Sequence, residues 1–286
     1  MAALNTGVLS APSPVIISGR MNAFTVDLQD VRVVRLGHAI LAGISLHVEA
    51  ARCCAVLGPN GSGKSTLVSV LSGYTWPSTG SVNIGGQVFG KVDLACVRRG
   101  IGLIEPSRSP ALDEQMRVRE VVATGLFGTI RLPLHREVEP AQWRRVEAEI
   151  DSLGLGGVQD SVFAQLSTGE QMKTLLARAM VAEAGLLLLD EPTAGLDMGA
   201  RAACVGVLER LLNRPQHPTV IIVSHHLDEL PCQVDQVVLL KQGAVFAAGT
   251  AEQALTSEKL SALFDCRIEV FKNDGRYVAG VRWDNG

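Results

Sequence analysis

The chain has 286 residues, of which 47% are hydrophobic and 19% charged, a composition that suits one large globular domain or two small ones and excludes a mostly disordered chain. A net charge of -3 gives no electrostatic pull toward nucleic acid, so no nucleic acid is expected as a partner. No apolar run approaches the ~18 residues that cross a bilayer. The six cysteines, at 53, 54, 96, 204, 232 and 266, lack C-x-x-C spacing and read as buried thiols in a reducing compartment.

Residues 1–23 carry Ser, Pro and Gly without a charged start or the apolar centre of a signal peptide; they read as a loose leader, with Met21 a candidate start. Alternating apolar positions over 24–34, 44–48 and 82–89, the last with Gly85-Gly86 as a turn, predict short antiparallel strands. Among them lies an apolar run, 53–57, that predicts a buried strand, and 67–71 continues as the apolar side of a helix. The two are joined by Gly58-Pro59-Asn60-Gly61-Ser62-Gly63-Lys64-Ser65-Thr66, which fits G-x-x-x-x-G-K-[ST] at every fixed position. Glycines at 58, 61 and 63 remove Cβ atoms, so the backbone can curl around a polyphosphate with its N–H groups inward, at the positive end of the helix. Lys64 would then reach the β- and γ-phosphates of a nucleotide, and the Ser65 hydroxyl would ligate Mg²⁺.

From about 107 to 182 the pattern turns helical. Trp143, Val146, Ile150 and Leu153 share one helical face, and Met172, Leu175, Leu176, Ala179 and Met180 share another. Ser167, with Glu170 three residues on, makes a capping box at the start of the second helix, and Gly169 between them leaves a hydroxyl and backbone amides open to an anion. The continuous apolar runs 186–189 and 220–223 predict parallel strands buried on both faces, with 201–212 as the helical crossover. The first run ends in Asp190 and Glu191, and ligands of open parallel sheets sit at the carboxyl ends of strands. Asp190 is placed to hold a Mg²⁺ shell and Glu191 to take a proton from attacking water. Short strands follow at 237–240 and 244–248. The tail, 251–286, reads as a helix over 257–264 and a hairpin, 267–271 and 276–281, turning at Asn273-Asp274-Gly275.

Three further segments fall in order. Leu166-Ser167-Thr168-Gly169-Glu170-Gln171 resembles the L-S-G-G-Q signature of ATP-binding-cassette (ABC) ATPases, with Thr168 in place of the first Gly. Ala194-Gly195-Leu196-Asp197 resembles that family's D-loop, and Val223-Ser224-His225 its switch histidine. The resemblance covers about residues 25–250. It implies an α/β fold, a P-loop NTPase of ABC type, with a mostly parallel core sheet, an antiparallel β subdomain and an inserted helical subdomain, the ATPase domain spanning 24–250. It also implies ATP and Mg²⁺, and a homodimer or paired nucleotide-binding domain. In such a dimer ATP lies between Lys64 and Ser65 of one subunit and Ser167 and Gly169 of the other, with Asp197 nearby, while Glu191 and His225 orient the water. A separate integral-membrane permease would dock around 107–135, holding the chain at the cytoplasmic face of a membrane. Cassettes of molybdenum-transport-associated and metal-chelate import systems are similar at 121–128 and 260–264.

The chain departs from the family at three places: Pro106, after Glu105, stands where a glutamine is usual, Leu36 where an aromatic stacks on adenine, and His226 where an acid is usual. A soluble ABC ATPase of translation, repair or regulation is the first rival reading, but it would be favoured by tandem cassettes, a coiled coil or a basic arm, which the sequence lacks. A module with ATP as a structural ligand is the second, and it has little use for Glu191, His225 and Lys64 together.

Overall fold

The computed structural model describes residues 23–105, 115–133, 135 and 137–282. Residues 1–22 of the expected leader, Pro106, and residues 107–114 and 134 of the expected permease-docking segment lie outside the described residues. Two strands open the fold as a hairpin: β1 (Val26–Arg35) and β2 (His38–Val48), paired from Val26 opposite Val48 to Arg35 opposite His38. Its turn is Leu36 (φ 51°) and Gly37 (φ 79°), both left-handed as a type I′ turn requires. β2 thus begins well ahead of the strand expected at 44. Gly43, at φ 103°, sits within β2, where the β1–β2 register is irregular, and this breaks the alternation that would have revealed 38–43. β4 (Thr79–Ile84) pairs with the other edge of β1, and β5 (Gln87–Val88) closes this antiparallel sheet in the order β2-β1-β4-β5.

The second sheet has six strands. β3 (Cys53–Leu57), β6 (Ile101–Ile104), β7 (Leu186–Asp190), β8 (Thr219–Ser224), β9 (Gln236–Lys241) and β10 (Ala244–Gly249) lie in the order β10-β9-β3-β8-β7-β6. Every pairing is parallel except β9–β10, a hairpin turning at Gln242 and Gly243. The continuous apolar runs follow from burial on both faces. Cys53, Ala55, Leu57, Leu187 and Leu189 pack on one side, under α3 (Val118–Thr124), α4 (Pro140–Ser152), α5 (Thr168–Val181) and α6 (Met198–Leu212). Their neighbours Cys54, Val56, Leu186 and Leu188 pack on the other, with α1 (Lys64–Leu71), α2 (Leu94–Arg99) and the antiparallel sheet. A charge in place of the apolar residues of β3, β7 or β8 would have no solvated face to turn to.

Cys53 and Cys54 therefore point to opposite faces, and both are free thiols. Burial pushes the Cys54 thiol up to about 12. The expectation of buried cysteines holds for 53, 54 and 204 and fails for 96, 232 and 266, exposed free thiols of which the first is on α2 and the other two lie in turns between elements. Beyond the sheet, α7 (Ala251–Ala254) and α8 (Ser257–Phe264) lead to β11 (Ile268–Asn273) and β12 (Arg276–Val281), whose turn is Asp274 and Gly275, both at positive φ. Among the described residues no helix is long and apolar enough to cross a membrane.

Candidate active site

Strand register assembles the site. β8 lies between β3 and β7, with Leu57 level with Ser224 and Asp190 level with Val223. The segments starting at Gly58, Asp190 and Ser224 thus leave the sheet side by side at its carboxyl edge, where open α/β sheets bind ligands.

The 58–66 loop is built for close backbone approach. A Cβ on Gly58 would run into the Leu240 carbonyl oxygen and lie 2.7 Å from Ser62 Oγ, and one on Gly63 (φ 101°) would lie 2.8 Å from Leu41 Cδ2. The Gly243 N–H donates to the Ser62 carbonyl at 3.0 Å, so the β9–β10 turn supports the loop from below. Pro59 is half-buried, and Asn60 and Gly61 (φ 79°) are exposed at the loop's rim. Gly63 caps α1 with no side-chain hydrogen bond, leaving the helix start for an anion. Ser62 Oγ is buried without a hydrogen-bond partner among the described residues. Ser65 is exposed and Thr66 half-buried on the first turn of α1. Lys64, 5% exposed, folds back so that Nζ donates to the carbonyls of Gly58 at 2.8 Å and Pro59 at 3.0 Å. Burial pulls its ammonium below the usual lysine range, while the nearby charges of Glu191 and Asp190 push the other way.

Asp190 ends β7 as a buried carboxylate. Glu191 follows at φ 49°, a left-handed conformation unfavourable for a residue with a Cβ. Its N–H donates to the Val223 carbonyl at 2.9 Å, which turns its side chain toward the end of β8. There Oε1 lies 3.1 Å from His225 Nδ1, both side chains about one-third exposed. The His226 ring packs against that of His225, with centroids 4.0 Å apart.

Ser167, Gly169 and Asp197 form a separate cluster where the starts of α5 and α6 meet. Ser167 caps α5: Glu170 Oε2 accepts from the Ser167 N–H at 3.0 Å and from its hydroxyl at 2.6 Å. That hydroxyl, with the backbone N–H, holds the Glu170 carboxyl below its usual value. A Cβ on Gly169 would meet Ala200 of α6 at 3.7 Å, and Asp197 caps α6 by accepting from the Ala200 N–H at 2.7 Å. Leu36 stands at the tip of the β1–β2 hairpin and is 99% exposed. A groove of about 630 Å³ runs from Ser65 past Tyr74, Arg98 and Glu105 to Phe127 and Arg178. Sequence reading missed two supports of the site: the β9–β10 turn under Ser62, legible only as a turn, and the buried Glu229 beside Ser224.

A mostly parallel sheet whose carboxyl edge gathers a glycine-lined loop, a buried lysine, adjacent carboxylates and a histidine is the arrangement of nucleotide-hydrolysing α/β proteins. The family model described as ABC transporter matches residues 41–194, and the chain belongs to that family as an ATP-binding subunit with ATPase activity. It is 34% identical over 253 residues to an uncharacterized ABC transporter ATP-binding protein of Bacillus subtilis (strain 168), a match covering 87% of this chain and 94% of the relative. A hemin import ATP-binding protein of Rhizobium meliloti (strain 1021) is 30% identical, with 84% and 91% covered. Among solved structures, an inward-facing transporter described as of the metal-chelate type shares the fold at a TM-score of 0.74 and 22% identity, covering 92% of this chain and 98% of its own. A dimeric cassette bound to ADP and Pi does so at 0.67 and 23%, covering 79% and 98%.

Proposed function

We propose that Lys64, Glu191 and His225 carry out ATP hydrolysis in this cassette and that the observation carrying the assignment is the 3.1 Å contact between Glu191 and His225, at adjacent strand ends beside the phosphate loop. Phosphate oxygens compete with the Gly58 and Pro59 carbonyls for the Lys64 ammonium, which swings from loop to nucleotide. The residues from Gly58 to Thr66 wrap the phosphates with backbone N–H groups. Glu191 accepts the proton of the attacking water. With Nδ1 facing Glu191, His225 holds that carboxylate and keeps Nε2 for the γ-phosphate. The oxygen donors at hand, the exposed Ser65 hydroxyl and the buried Asp190 carboxylate, suit Mg²⁺, which takes few protein ligands and keeps waters and phosphates. Bound there, Mg²⁺ would neutralise charge developing on the phosphates.

The placement of Gly169 against Ala200 of α6, with Ser167 capping the same end of α5, supports a composite site completed by a second nucleotide-binding domain, with Asp197 at the seam. The dimeric cassettes of the same fold support it as well. A membrane permease is the partner that turns hydrolysis into transport, and it docks over the 107–135 segment, keeping the chain at the cytoplasmic face of the membrane. Lys64→Ala and Ser167→Arg subunits should each be inactive. Mixed in equal amounts they should recover about one quarter of wild-type activity, because half of randomly formed dimers carry one intact composite site. No recovery on mixing, with activity independent of protein concentration, would rule the composite site out.

A further inference from the structure

The turn that carries His225 away from β8 is held by a buried acid. Glu229 is 3% exposed, and its Oε2 accepts a short hydrogen bond from Ser224 Oγ. The same hydroxyl accepts from the His226 backbone N–H at 2.9 Å. Ser224 is fully buried, so protein atoms rather than water partner its hydroxyl: these two and, at a longer 3.3 Å, the His226 carbonyl oxygen. The other oxygen of Glu229, Oε1, lies 3.7 Å from Nε of Arg201 on α6, a nitrogen with no hydrogen bond of its own. Arg201 also donates to Asp228 at 3.2 Å, and its backbone N–H bonds the Asp197 carbonyl at 2.9 Å. His225 thus sits between two residues joined through one hydroxyl, and that hydroxyl is anchored by a carboxylate which also faces the first turns of α6.

We propose that Glu229 is a positioning residue for hydrolysis: through Ser224 it fixes the backbone on both sides of His225, and through Arg201 it ties the His225 turn to the Asp197 end of α6. Burying a carboxylate is unfavourable unless its partners are well placed, and an apolar residue could plug this space with no such demand. What a carboxylate adds is direction, because it accepts from the Ser224 hydroxyl and orients it toward the turn. The inference rests on the assignment of Glu191 and His225 as the hydrolytic pair.

The test measures single-turnover ATP hydrolysis and binding of a fluorescent ATP analogue for Glu229→Ala and Glu229→Gln, each alone and combined with His225→Ala. Glu229→Ala should lower the rate about tenfold or more with analogue affinity within about twofold of wild type, the pattern of an interaction used in the transition state. Glu229→Gln should keep most of the rate, since its amide oxygen can still accept from Ser224. With His225→Ala in place, Glu229→Ala should cost nothing further. An equal loss in both backgrounds, or a glutamine no better than alanine, would overturn the proposal. If Glu229→Ala fails to fold, Ser224→Ala removes the same link by deleting one hydroxyl and should show the same loss; an unchanged rate would overturn the proposal. Full activity of His225→Ala alone would overturn the hydrolytic assignment and this inference with it. An inactive His225→Ala beside an unimpaired Glu229→Ala would overturn only this inference.

Discussion

Gly58→Ala should damage both the fold and nucleotide binding, and the structure sets the size of the effect. The added Cβ meets the Leu240 carbonyl oxygen, a backbone atom of β9, as well as Ser62 Oγ. The serine can rotate away. The carbonyl cannot move without shifting β9, which pairs with β3 through Leu57 and Leu239. Overpacking of this kind costs about 1–3 kcal/mol, and in a chain of this size each kcal/mol lowers the melting temperature by about 2–4 °C. A fall of about 4–8 °C is therefore expected for a mid-range cost. ATP at about 100 times its dissociation constant stabilises a binding protein by about 2.7 kcal/mol, an increment the variant should lose because its loop is displaced. Gly61→Ala is the control: at φ 79° with no atom within 4 Å of the new Cβ, it should cost only the left-handed strain, about 1–2 kcal/mol. Thermal unfolding with and without ATP reads both quantities. A Gly58→Ala protein melting within about 1 °C of wild type, with its ATP shift intact, would refute the reasoning.

Leu36→Asn should stabilise the protein by about 0.5–1 kcal/mol, since asparagine suits the first position of a type I′ turn and a side chain 99% exposed gives up no burial; a melting temperature at or below wild type would count against it. The same exposed Leu36 offers no stacking surface, so ATP and GTP should bind within roughly tenfold of each other, a gap of about 1.4 kcal/mol, in titrations with fluorescent analogues. Glu170→Gln should weaken the cap of α5 above about pH 4.5, where the wild-type carboxylate is ionised, by no more than about 1 kcal/mol given its exposure. Because the folded carboxyl titrates below its ordinary value, that contribution is lost as pH falls through the folded value. Unfolding of wild type and variant should therefore converge at acid pH, and a gap independent of pH would contradict the assignment.

Strands β3, β7 and β8 were legible because both of their faces are buried, so sequence alone fixes them as unbroken apolar runs. The placement of the 58–66 loop and of the Asp190-Glu191 pair was legible because they sit at the ends of those runs. α2 was not read, although Asp93 caps it and Gly100 ends it, because only Val97 of its six residues is buried and no apolar stripe results. The Ser167–Glu170 capping box was readable as local chemistry, and it formed as read. Contacts between distant segments were not readable: the support of Ser62 by Gly243, and the seating of Glu229 against Ser224 and Arg201, depend on sheet order, which spacing does not encode.

Glu191 is the residue on which the proposed hydrolysis turns. Its pairing with His225 is one-third exposed, so Glu191→Gln should cost under about 1 kcal/mol of stability and leave the loop's grip on the nucleotide intact. Without a carboxylate to take the proton of water, hydrolysis should fall about 10²–10⁴-fold. Single-turnover hydrolysis of ATP by Glu191→Gln, run beside analogue binding on the same preparation, is the most direct measurement: wild-type affinity with turnover nearly abolished is the predicted result, and hydrolysis at the wild-type rate would contradict the account.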